Sequence, residues 1–497
     1  MDGRLAELKQ RLGEVSDLRS AAAVLDWDQM VMMPVAGGPV RAERLATLER
    51  VAHEALTDER VGQLLEDLGP LEESLPPESD DAGLIRVARR DYEKAVRVPS
   101  ALAAEMMRTA SAGLEAWVGA RAAGNYGGFK PWLDRHLELK HRYIDCFEPA
   151  TEPYDTLLDD FEPETTTAEV RAVFDRLKEA LVPLIAEVGS TEDEPFTHGP
   201  FPEAAQRRLS LEVMTAFGFE HDSFRLDTAV HPFCSSFATS DIRVTTRFHE
   251  NDIESLFSSM HEIGHGLYER GVSPALERTP LASGCSSGLH ESQSRLWENV
   301  VGRSLPFWRW FYPRTQAAFP GVLGDVSLER FHRSVNRVRP SFIRVDADEV
   351  TYGMHIILRF ELEQELLAGT VSTADLPDAW NARFEEYLGL AVPDDRLGVL
   401  QDVHWSSGAF GYFPTYQLGN IMSVQIWEAA RDALPGLEER FEQGDFSELG
   451  AWLRENLYSL GRKLTPRETL ERVAGGPLDP EPYLRYLQSK YGAGVTA

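Results

Sequence analysis

Cysteine is scarce in this sequence, and long apolar runs are missing from it. Cys146, Cys234 and Cys285 are spread across 497 residues, so we expect neither a disulfide framework nor a clustered thiolate metal site. No run of about 18 apolar residues occurs, and the charged segment 1–20 lacks the apolar core of a signal peptide. These absences predict a protein of the reducing cytoplasm without a membrane-spanning segment.

Positive charge is also in short supply. The chain has 50 Lys and Arg against 80 Asp and Glu, which gives a formal net charge of -30. A surface of this sign repels phosphate backbones and anionic membranes, so the sequence predicts no nucleic-acid partner and no membrane partner. What the chain does have is length and a 43% hydrophobic content, which suffice for a large core.

Helical periodicity dominates the sequence. Apolar residues recur every three or four positions, with charges between them, over residues 5–15, 41–56, 168–188 and 379–391. Polar breaks rich in Pro and Gly at 69–81 and 189–202 are too short to separate independent domains. We therefore predict a mainly α-helical fold and a single domain over 1–497.

One region changes its period. In residues 224–230 and 242–248, apolar or β-branched side chains occupy every second position, and turn-prone sequence lies between the two segments. This pattern predicts a small sheet. Directly after it, a helix should begin at Asn251, with Glu254 three residues on, and end at Gly271.

The predicted helix carries the pattern H-E-x-x-H. His261 and His265 are four positions apart, so their Cβ atoms lie roughly 5–6 Å apart on one face and both could bind one ion. Glu262 points about 100° around the axis, which suits a general base that reaches a metal-bound water without binding the metal. The alternative is an ordinary pair of histidines that cap a helix or form ion pairs.

A catalytic zinc site needs a third protein ligand and an open fourth position. The segment 286–302 predicts a second helix, capped by Ser286 or Ser287, with Glu291 near its start. A glutamate there could instead serve only as a partner of the helix dipole. The adjacent His290 and the small residues before the helix favour the metal site.

Several short motifs follow one another along nearly the whole chain. They are LDWDQMVMMP (25–34), HPF (231–233), DIRVT (241–245), HEIGH (261–265), HESQ (290–293), IRVDAD (343–348) and GVLQDVHW (398–405). Together they resemble the carboxypeptidase Taq family of thermostable zinc metallocarboxypeptidases. A series of motifs in this order is highly specific.

The resemblance implies an architecture beyond the periodicity. Family members are mainly helical, with a deep active-site cleft and a small β-sheet beside the HEXXH helix, and are similar to the neurolysin-like peptidases. A helical part over about 1–200 would then cover a catalytic part over about 201–497. Family members commonly form homodimers, so a homodimer is expected.

The resemblance also implies a reaction. His261, His265 and Glu291 would bind zinc, for which cobalt is a possible substitute, and Glu262 would be the general base. The expected activity is removal of C-terminal residues from peptides by attack of a metal-bound water. The alternative is a zinc oligopeptidase that cleaves internal bonds of short peptides. A purely structural metal protein is disfavoured, because a closed site has four ligands and no use for a base.

Removal of a terminal residue requires recognition of a free α-carboxylate, which a guanidinium group does best. Arg344, which matches the arginine of the family's IRVDAD motif, is the first candidate, and Arg243 is the second. The alternative for Arg344 is a structural ion pair with Asp346 or Asp348.

Four further side chains are expected to contact the substrate. Tyr412 or Tyr416 would stabilise the oxyanion, with His231 and His404 as rivals. Ordinary packing of a cleft wall is the alternative for the two aromatic residues.

The remaining candidates are expected to support the site. His290 would hold the substrate or Glu291, and Trp27 and Asp28 would be structural anchors. Three residues would orient the ligand imidazoles or shape the cleft: Asp241, Gln401 and Asp402.

Overall fold

The protein is described by a computed structural model over residues 3–189 and 193–492. These residues form two compact units, each built from three chain segments. Unit 1 comprises 3–96, 194–335 and 425–477, and unit 2 comprises 97–189 with 193, 336–424 and 478–492. Residues 190–192 of the predicted break at 189–202 lie outside the described ranges. The single domain, with one part covering the other, stays a prediction.

Helices make up most of the described chain, which confirms the mainly α-helical prediction. In chain order the α-helices are α1 (Gly3–Val31), α2 (Gly38–Leu56), α3 (Glu59–Asp67), α4 (Gly69–Ser74), α5 (Asp80–Arg97), α6 (Ser100–Ala123), α7 (Lys130–Ile144), α8 (Pro153–Leu158), α9 (Thr167–Val188), α10 (Glu203–Phe217), α11 (Glu254–Gly271), α12 (Ser287–Arg295), α13 (Leu305–Ala318), α14 (Pro320–Leu323), α15 (Leu328–Val335), α16 (Tyr352–Ala368), α17 (Leu376–Leu388), α18 (Pro414–Ala433), α19 (Leu437–Phe441), α20 (Ser447–Asn456), α21 (Pro466–Ala474) and α22 (Glu481–Tyr491). None of the helices in the described ranges is long and apolar enough to cross a membrane.

Helix α9 shows how the sequence produces these elements. The hydroxyl of Thr166 accepts the N–H of Glu169, whose carboxylate accepts the N–H of Thr166, so the first turn is capped from both sides. Val170, Phe174 and Leu177 then lie on one buried stripe at spacings of four and three. Local capping and the apolar stripe therefore specify the same helix.

Two helix ends lie within one turn of the positions that the sequence pattern indicates. Helix α17 ends at Leu388, short of the periodic segment, because Gly389 adopts a φ of 69°. Helix α11 begins at Glu254 and not at Asn251, since the carboxylate of Asp252 accepts the N–H of Glu254 at 3.1 Å. The helix ends where the sequence predicts.

The small sheet is confirmed, with one more strand than the sequence predicts. Strands β1 (Phe224–Thr228) and β3 (Asp241–Thr246) pair in parallel. Strand β2 (Cys234–Ala238) pairs antiparallel with the other edge of β3, which gives the order β1-β3-β2. The five residues of β2 contain no β-branched side chain, so their pattern does not indicate a strand. The open edge of β3 supplies the pairing that the local sequence does not favour.

Helix α12 continues into a turn of π-helix over Leu296–Val301. Of the two predicted caps, Ser286 is the one used, and its hydroxyl accepts the N–H of Leu289 at 3.1 Å. The predicted helix over 286–302 is therefore confirmed, with a wider turn near its end. Such turns recur at functional sites, where they change the direction of side chains.

Two glycines allow α11 to pack closely on both sides. A Cβ atom at Gly264 would lie 2.6 Å from the carbonyl oxygen of Gln293 in α12. A Cβ atom at Gly266 would lie 2.9 Å from the ring of Phe224 in β1. The backbone of α11 thus approaches α12 and the sheet at distances that only glycine permits.

Trp27 attaches α1 to the sheet. The guanidinium groups of Arg243 and Arg225 lie 4.5 and 5.1 Å from the centroid of its indole ring, a favourable cation–π arrangement. Asp28 pairs with Arg41 of α2 at 2.6 Å. These contacts are those of structural anchors for the N-terminal helices of unit 1.

Replacement of Gly264 with Ala should destabilise the protein by about 1–3 kcal/mol, because the added methyl group meets backbone atoms of α12 that cannot rotate away. Urea denaturation measures this change. The matched control is Gly450→Ala in α20, where a Cβ atom meets nothing within 4 Å; it should stabilise by up to about 1 kcal/mol. Equal stability changes for the two variants would contradict the close approach of α11 to α12.

Candidate active site

The three predicted metal ligands lie together at the contact of α11 with α12. One ligand atom from each of His261, His265 and Glu291 lies within 4.8 Å of the others. The Oε2 atom of Glu291 is 3.6 Å from Nε2 of His261 and 3.4 Å from Nε2 of His265. Within residues 3–189 and 193–492 this group, the ligand triad, has no fourth protein donor. Two imidazoles and one carboxylate with an open position form a donor set that suits a catalytic divalent metal.

The second ring nitrogen of His261 faces Glu298, which lies in the π-turn. Nδ1 of His261 is 2.9 Å from Oε2 of Glu298. Burial opposes ionisation of Glu298, but His261 and the neighbouring Arg295 and Arg303 lower its pKa to about 2. The ionised carboxylate accepts the Nδ1–H of His261, and in the neutral ring this leaves the lone pair of Nε2 for a metal.

The second ring nitrogen of His265 faces another imidazole. Nδ1 of His265 is 2.6 Å from Nδ1 of His290, and Nε2 of His290 is 2.9 Å from Oε1 of Glu269. Burial lowers the pKa of His265 to about 3, so the ring is neutral, as metal binding requires. His290 therefore contacts a ligand histidine, whereas the sequence suggested substrate or Glu291.

Arg295 holds the carboxylate of Glu291 in place. Its Nε atom donates to Oε1 of Glu291 at 2.7 Å, one helical turn away, and the hydroxyl of Ser294 donates to Oε2 at 3.2 Å. Burial opposes ionisation of Glu291, but Arg295 and His261 hold its pKa well below the usual range. One carboxylate oxygen is thus occupied by Arg295, while the other faces the two histidines.

Glu262 is buried beside the ligand triad, with 7% of its surface exposed. Burial raises its pKa to about 7; His261 opposes this shift, and Glu291 and Glu298 add to it. A carboxyl group whose pKa lies near neutrality can both accept and release a proton under ordinary conditions.

The other candidates in unit 1 lie at the sheet. His231 is exposed between β1 and β2. Asp241 pairs with Arg243 through two contacts of 3.0 Å, and the guanidinium of Arg243 also lies 4.7 Å from the ring centroid of Phe237. Arg243 also lies against the ring of Trp27, so its guanidinium is held where α1 meets the sheet.

Arg344 is buried in unit 2 and paired with Asp402. Its Nε and Nη2 atoms donate to Oδ1 of Asp402 at 3.0 and 2.8 Å, and Nε of Arg359 donates to Oδ2 at 2.7 Å. The ion pair of Arg344 is therefore made with Asp402, and not with Asp346 or Asp348. Burial opposes ionisation of Asp402, but the two arginines hold its pKa well below the usual range.

Gln401 supports the segment that carries Arg344. Its Oε1 atom accepts the N–H of Arg344 at 2.9 Å, and its Nε2 atom donates to the carbonyl oxygen of Phe342 at 2.9 Å. The IRVDAD and GVLQDVHW motifs are thus joined in two ways. The side chain of Gln401 bonds to the backbone of the first motif and the residue before it, and Asp402 forms an ion pair with Arg344.

The aromatic candidates of unit 2 form one cluster beside Arg344. Nε2 of His404 is 3.1 Å from the hydroxyl of Tyr416, and the ring centroids of Tyr412 and Tyr416 are 5.2 Å apart. The guanidinium of Arg344 lies 4.9 Å from the centroid of Tyr416. Burial lowers the pKa of His404 to about 4, so this ring is neutral near pH 7.

Comparison with known proteins assigns the chain to a family. Residues 7–491 match the carboxypeptidase Taq (M32) metallopeptidase family. The chain belongs to this family. Thermostable carboxypeptidase 1 of Thermus thermophilus is 42% identical over 97% of this chain and 96% of its own length. Carboxypeptidase 1 of Bacillus subtilis is 36% identical over 97% and 96%.

Solved structures agree with this assignment. The M32 carboxypeptidase of Deinococcus radiodurans is 40% identical, with a TM-score of 0.96 over 100% of both chains. The carboxypeptidase of Pyrococcus furiosus is 33% identical, with a TM-score of 0.96 over 99% of each. The chain is accordingly a metallocarboxypeptidase, a peptide hydrolase with a metal cofactor.

Two carboxylates that contact the histidines of the site, Glu298 and Glu269, were not predicted from the sequence. Glu298 follows Glu291 by seven positions, about two helical turns, and Glu269 follows His265 by four. This spacing is a signal that could have revealed both carboxylates. Arg359 offered no such signal, because its contact with Asp402 joins residues 43 positions apart.

A buried carboxyl group, Glu363 of α16, holds the segment that leads to Tyr412. Its oxygens accept the Nε1–H of Trp405 at 2.8 Å, the N–H of Gly411 at 3.0 Å and the hydroxyl of Tyr154 at 2.6 Å. Burial raises the pKa of Glu363 to about 7, although these donors and the nearby Lys140 favour its ionised form.

The raised pKa of Glu363 predicts a pH-dependent contribution to stability. Between about pH 4.5 and 7 the folded chain keeps a proton that the unfolded chain releases, so the free energy of unfolding falls as pH rises, by roughly 3 kcal/mol in total. The Glu363→Gln variant should lose this fall, as measured by urea denaturation across the range. In Tyr154→Phe the fall should extend to higher pH, because a donor that favours the carboxylate is gone. If the free energy of unfolding varied with pH in the same way in all three proteins, the raised pKa of Glu363 would be contradicted.

Proposed function

We propose that this chain removes C-terminal residues from peptides by zinc-dependent hydrolysis, with Glu262 as the general base. The observation that carries the proposal is the convergence of His261, His265 and Glu291 in a chain of the carboxypeptidase Taq family. Three nitrogen and oxygen donors, all buried or half-buried, match a catalytic zinc site with a position left for substrate or water. Cobalt, which accepts the same donors, would be a possible substitute.

Hydrogen bonds orient the side chains of the ligand triad so that one atom of each remains directed at a common point. Each histidine has its Nδ1 atom engaged by another side chain, and Glu291 has one oxygen engaged by Arg295. The atoms that face one another are Nε2 of each histidine and Oε2 of Glu291, which also accepts the hydroxyl of Ser294. Zinc held there supplies Lewis-acid polarisation of the scissile carbonyl and lowers the pKa of the attacking water.

Glu262 would act in both halves of the reaction. Its carboxylate takes the proton of the attacking water and then delivers that proton to the leaving amine, so no external acid is needed. Burial next to the triad keeps bulk water from competing for this proton.

The free C-terminus is assigned to the cluster around Arg344. Two buried guanidinium groups, of Arg344 and Arg359, share the single carboxylate of Asp402. The neighbouring His404 is neutral, so the cluster carries an excess of positive charge that an α-carboxylate would balance. This excess supports Arg344 over Arg243, whose charge is already matched by Asp241.

Neighbours of Arg344 are the proposed contacts for the rest of the substrate. Tyr416 and Tyr412 are half-buried aromatic donors beside this arginine, and either could serve the oxyanion. His404 would orient Tyr416 through their hydrogen bond. His231, which is exposed near the sheet, stays a predicted contact.

Further expectations from the sequence stay predictions. They are a homodimer, a cytoplasmic location, and the lack of nucleic-acid and membrane partners. The oligopeptidase alternative also stays open to test, because it would use the same ligand triad and differ only in how the substrate's end is recognised.

Replacement of Glu262 with Gln should leave zinc bound and lower kcat by roughly 10²–10⁴-fold, since the ligands survive while the base is lost. The contrasting variant is Glu291→Ala, which should lose the metal. Elemental analysis and single-turnover kinetics measure the two effects. Full activity in the zinc-loaded Glu262 variant would rule out its role as base, and stoichiometric zinc in the Glu291 variant would place the third ligand elsewhere.

Amidation of a peptide's C-terminus should lower kcat/KM steeply, because it removes the charge that a guanidinium group recognises. Acetylation of the N-terminus should have little effect. Mass spectrometry of a digested peptide series distinguishes loss of terminal residues from internal cleavage. Equal cleavage of acid and amide peptides at internal bonds would favour the oligopeptidase.

The Arg344→Lys variant should discriminate far less between acid and amide peptides, since lysine keeps the charge beside Asp402 but lacks the planar guanidinium with its several fixed donors. Its zinc content should be unchanged. The matched comparison is Arg243→Lys, which should discriminate like the wild type. If only the Arg243 variant lost discrimination, the carboxylate would belong to Arg243.

A further inference from the structure

A continuous row of hydrogen bonds leads from the ligand triad to a buried carboxylate. Nδ1 of His265 lies 2.6 Å from Nδ1 of His290, whose Nε2 atom lies 2.9 Å from Oε1 of Glu269. The ring planes of the two histidines differ by 25°. The same Glu269 oxygen accepts the N–H of Gly284 at 3.1 Å. We call this row, His265–His290–Glu269, the relay.

When both imidazole rings are neutral, the relay has only two arrangements of its protons. A neutral imidazole has one N–H and one lone pair, so two facing Nδ1 atoms need a donor on one ring and an acceptor on the other. If His265 donates, its Nε2 atom has a lone pair for a metal, and the proton of His290 must be on Nε2. If His290 donates from Nδ1, the proton of His265 is on Nε2 and blocks metal binding.

The position of Glu269 distinguishes these two states. An ionised carboxylate can only accept hydrogen bonds, so it requires the proton of His290 to be on Nε2. That choice makes Nδ1 of His290 an acceptor and makes His265 the donor. The N–H of Gly284, which points at the same oxygen, also requires an acceptor there.

We infer that Glu269 and His290 are positioning residues that select the metal-binding tautomer of His265, although neither touches the metal. The inference rests on the proposed function only in taking His265 as a ligand through Nε2. It assigns His290 a role at the metal rather than at the substrate. The tautomers of the two histidines are then selected differently. Glu298 contacts His261 directly, whereas Glu269 acts on His265 through the ring of His290.

Zinc affinity, measured by competition with a chelating dye, tests the relay without reference to activity. The Glu269→Gln variant should bind zinc about 10-fold more weakly, because an uncharged oxygen still accepts but selects the tautomer less strongly. Glu269→Met and His290→Phe, which remove the acceptor and the relay ring, should each weaken binding by up to about 100-fold. The matched control is Glu277→Gln, whose carboxylate accepts the N–H of Thr239 and touches no histidine; its affinity should equal that of the wild type.

A double variant separates the relay from two independent structural effects. Once His290 is replaced by Phe, Glu269 has no path to His265, so the added Glu269→Met change should weaken zinc binding little further. Circular dichroism of the metal-free proteins checks that each variant is folded, and Glu269→Gln carries the test if the Met variant is not.

Two results would overturn the inference. One is zinc affinity within about 3-fold of the wild type in folded Glu269 and His290 variants, where the typical loss is about 10-fold or more. The other is a double variant in which the two losses multiply. If the wild-type protein bound no zinc, the proposed function itself would fail, and this outcome is distinct from both.

Discussion

The contact between α11 and α12 at Gly264 is the constraint on which the ligand triad depends. The backbones approach so closely that a Cβ atom there would lie 2.6 Å from a carbonyl oxygen. Histidines on one helix and a glutamate on the other can then reach one point with short side chains. The hydrogen bonds to the Nδ1 atoms and the bond from Arg295 to Glu291 orient the side chains of the ligand triad. This orientation brings their donor atoms together only because the two helices are already close.

Local pattern predicted much of the fold and the core of the site. The H-E-x-x-H spacing indicates His261 and His265 from helical geometry alone. Glu291 was predicted from its place near the start of the next capped helix together with the family resemblance. Strand β2 was not predictable, because its residues have little strand propensity and β3 supplies the pairing. Asp402 as the partner of Arg344 was not predictable either, since ion pairs between distant segments leave no periodic signal and nearer aspartates were available.

Each unit contains a cluster of buried ionisable groups. In unit 1 the carboxylates of Glu291 and Glu298 lie near the guanidinium group of Arg295, and Glu262, whose pKa burial raises to about 7, lies beside them. In unit 2 two guanidinium groups share one carboxylate. Buried charge that is left unbalanced is costly, so the cluster of unit 2 favours an anionic ligand, while the donor atoms of unit 1 suit a metal cation. A metal cation for the first and a peptide carboxylate for the second are the ligands that the proposed reaction brings.

The division of each unit among three chain segments has a consequence for synthesis on the ribosome. In unit 1, Arg462 bonds to Asp91 at 3.1 Å across 371 positions of sequence. Helix α5, which contains Asp91, therefore lacks this contact until several hundred further residues have been synthesised. Contacts of such long range slow folding and leave apolar surface exposed in the meantime. We therefore expect a nascent chain of this kind to be more prone to aggregation than one whose units are completed one after the other.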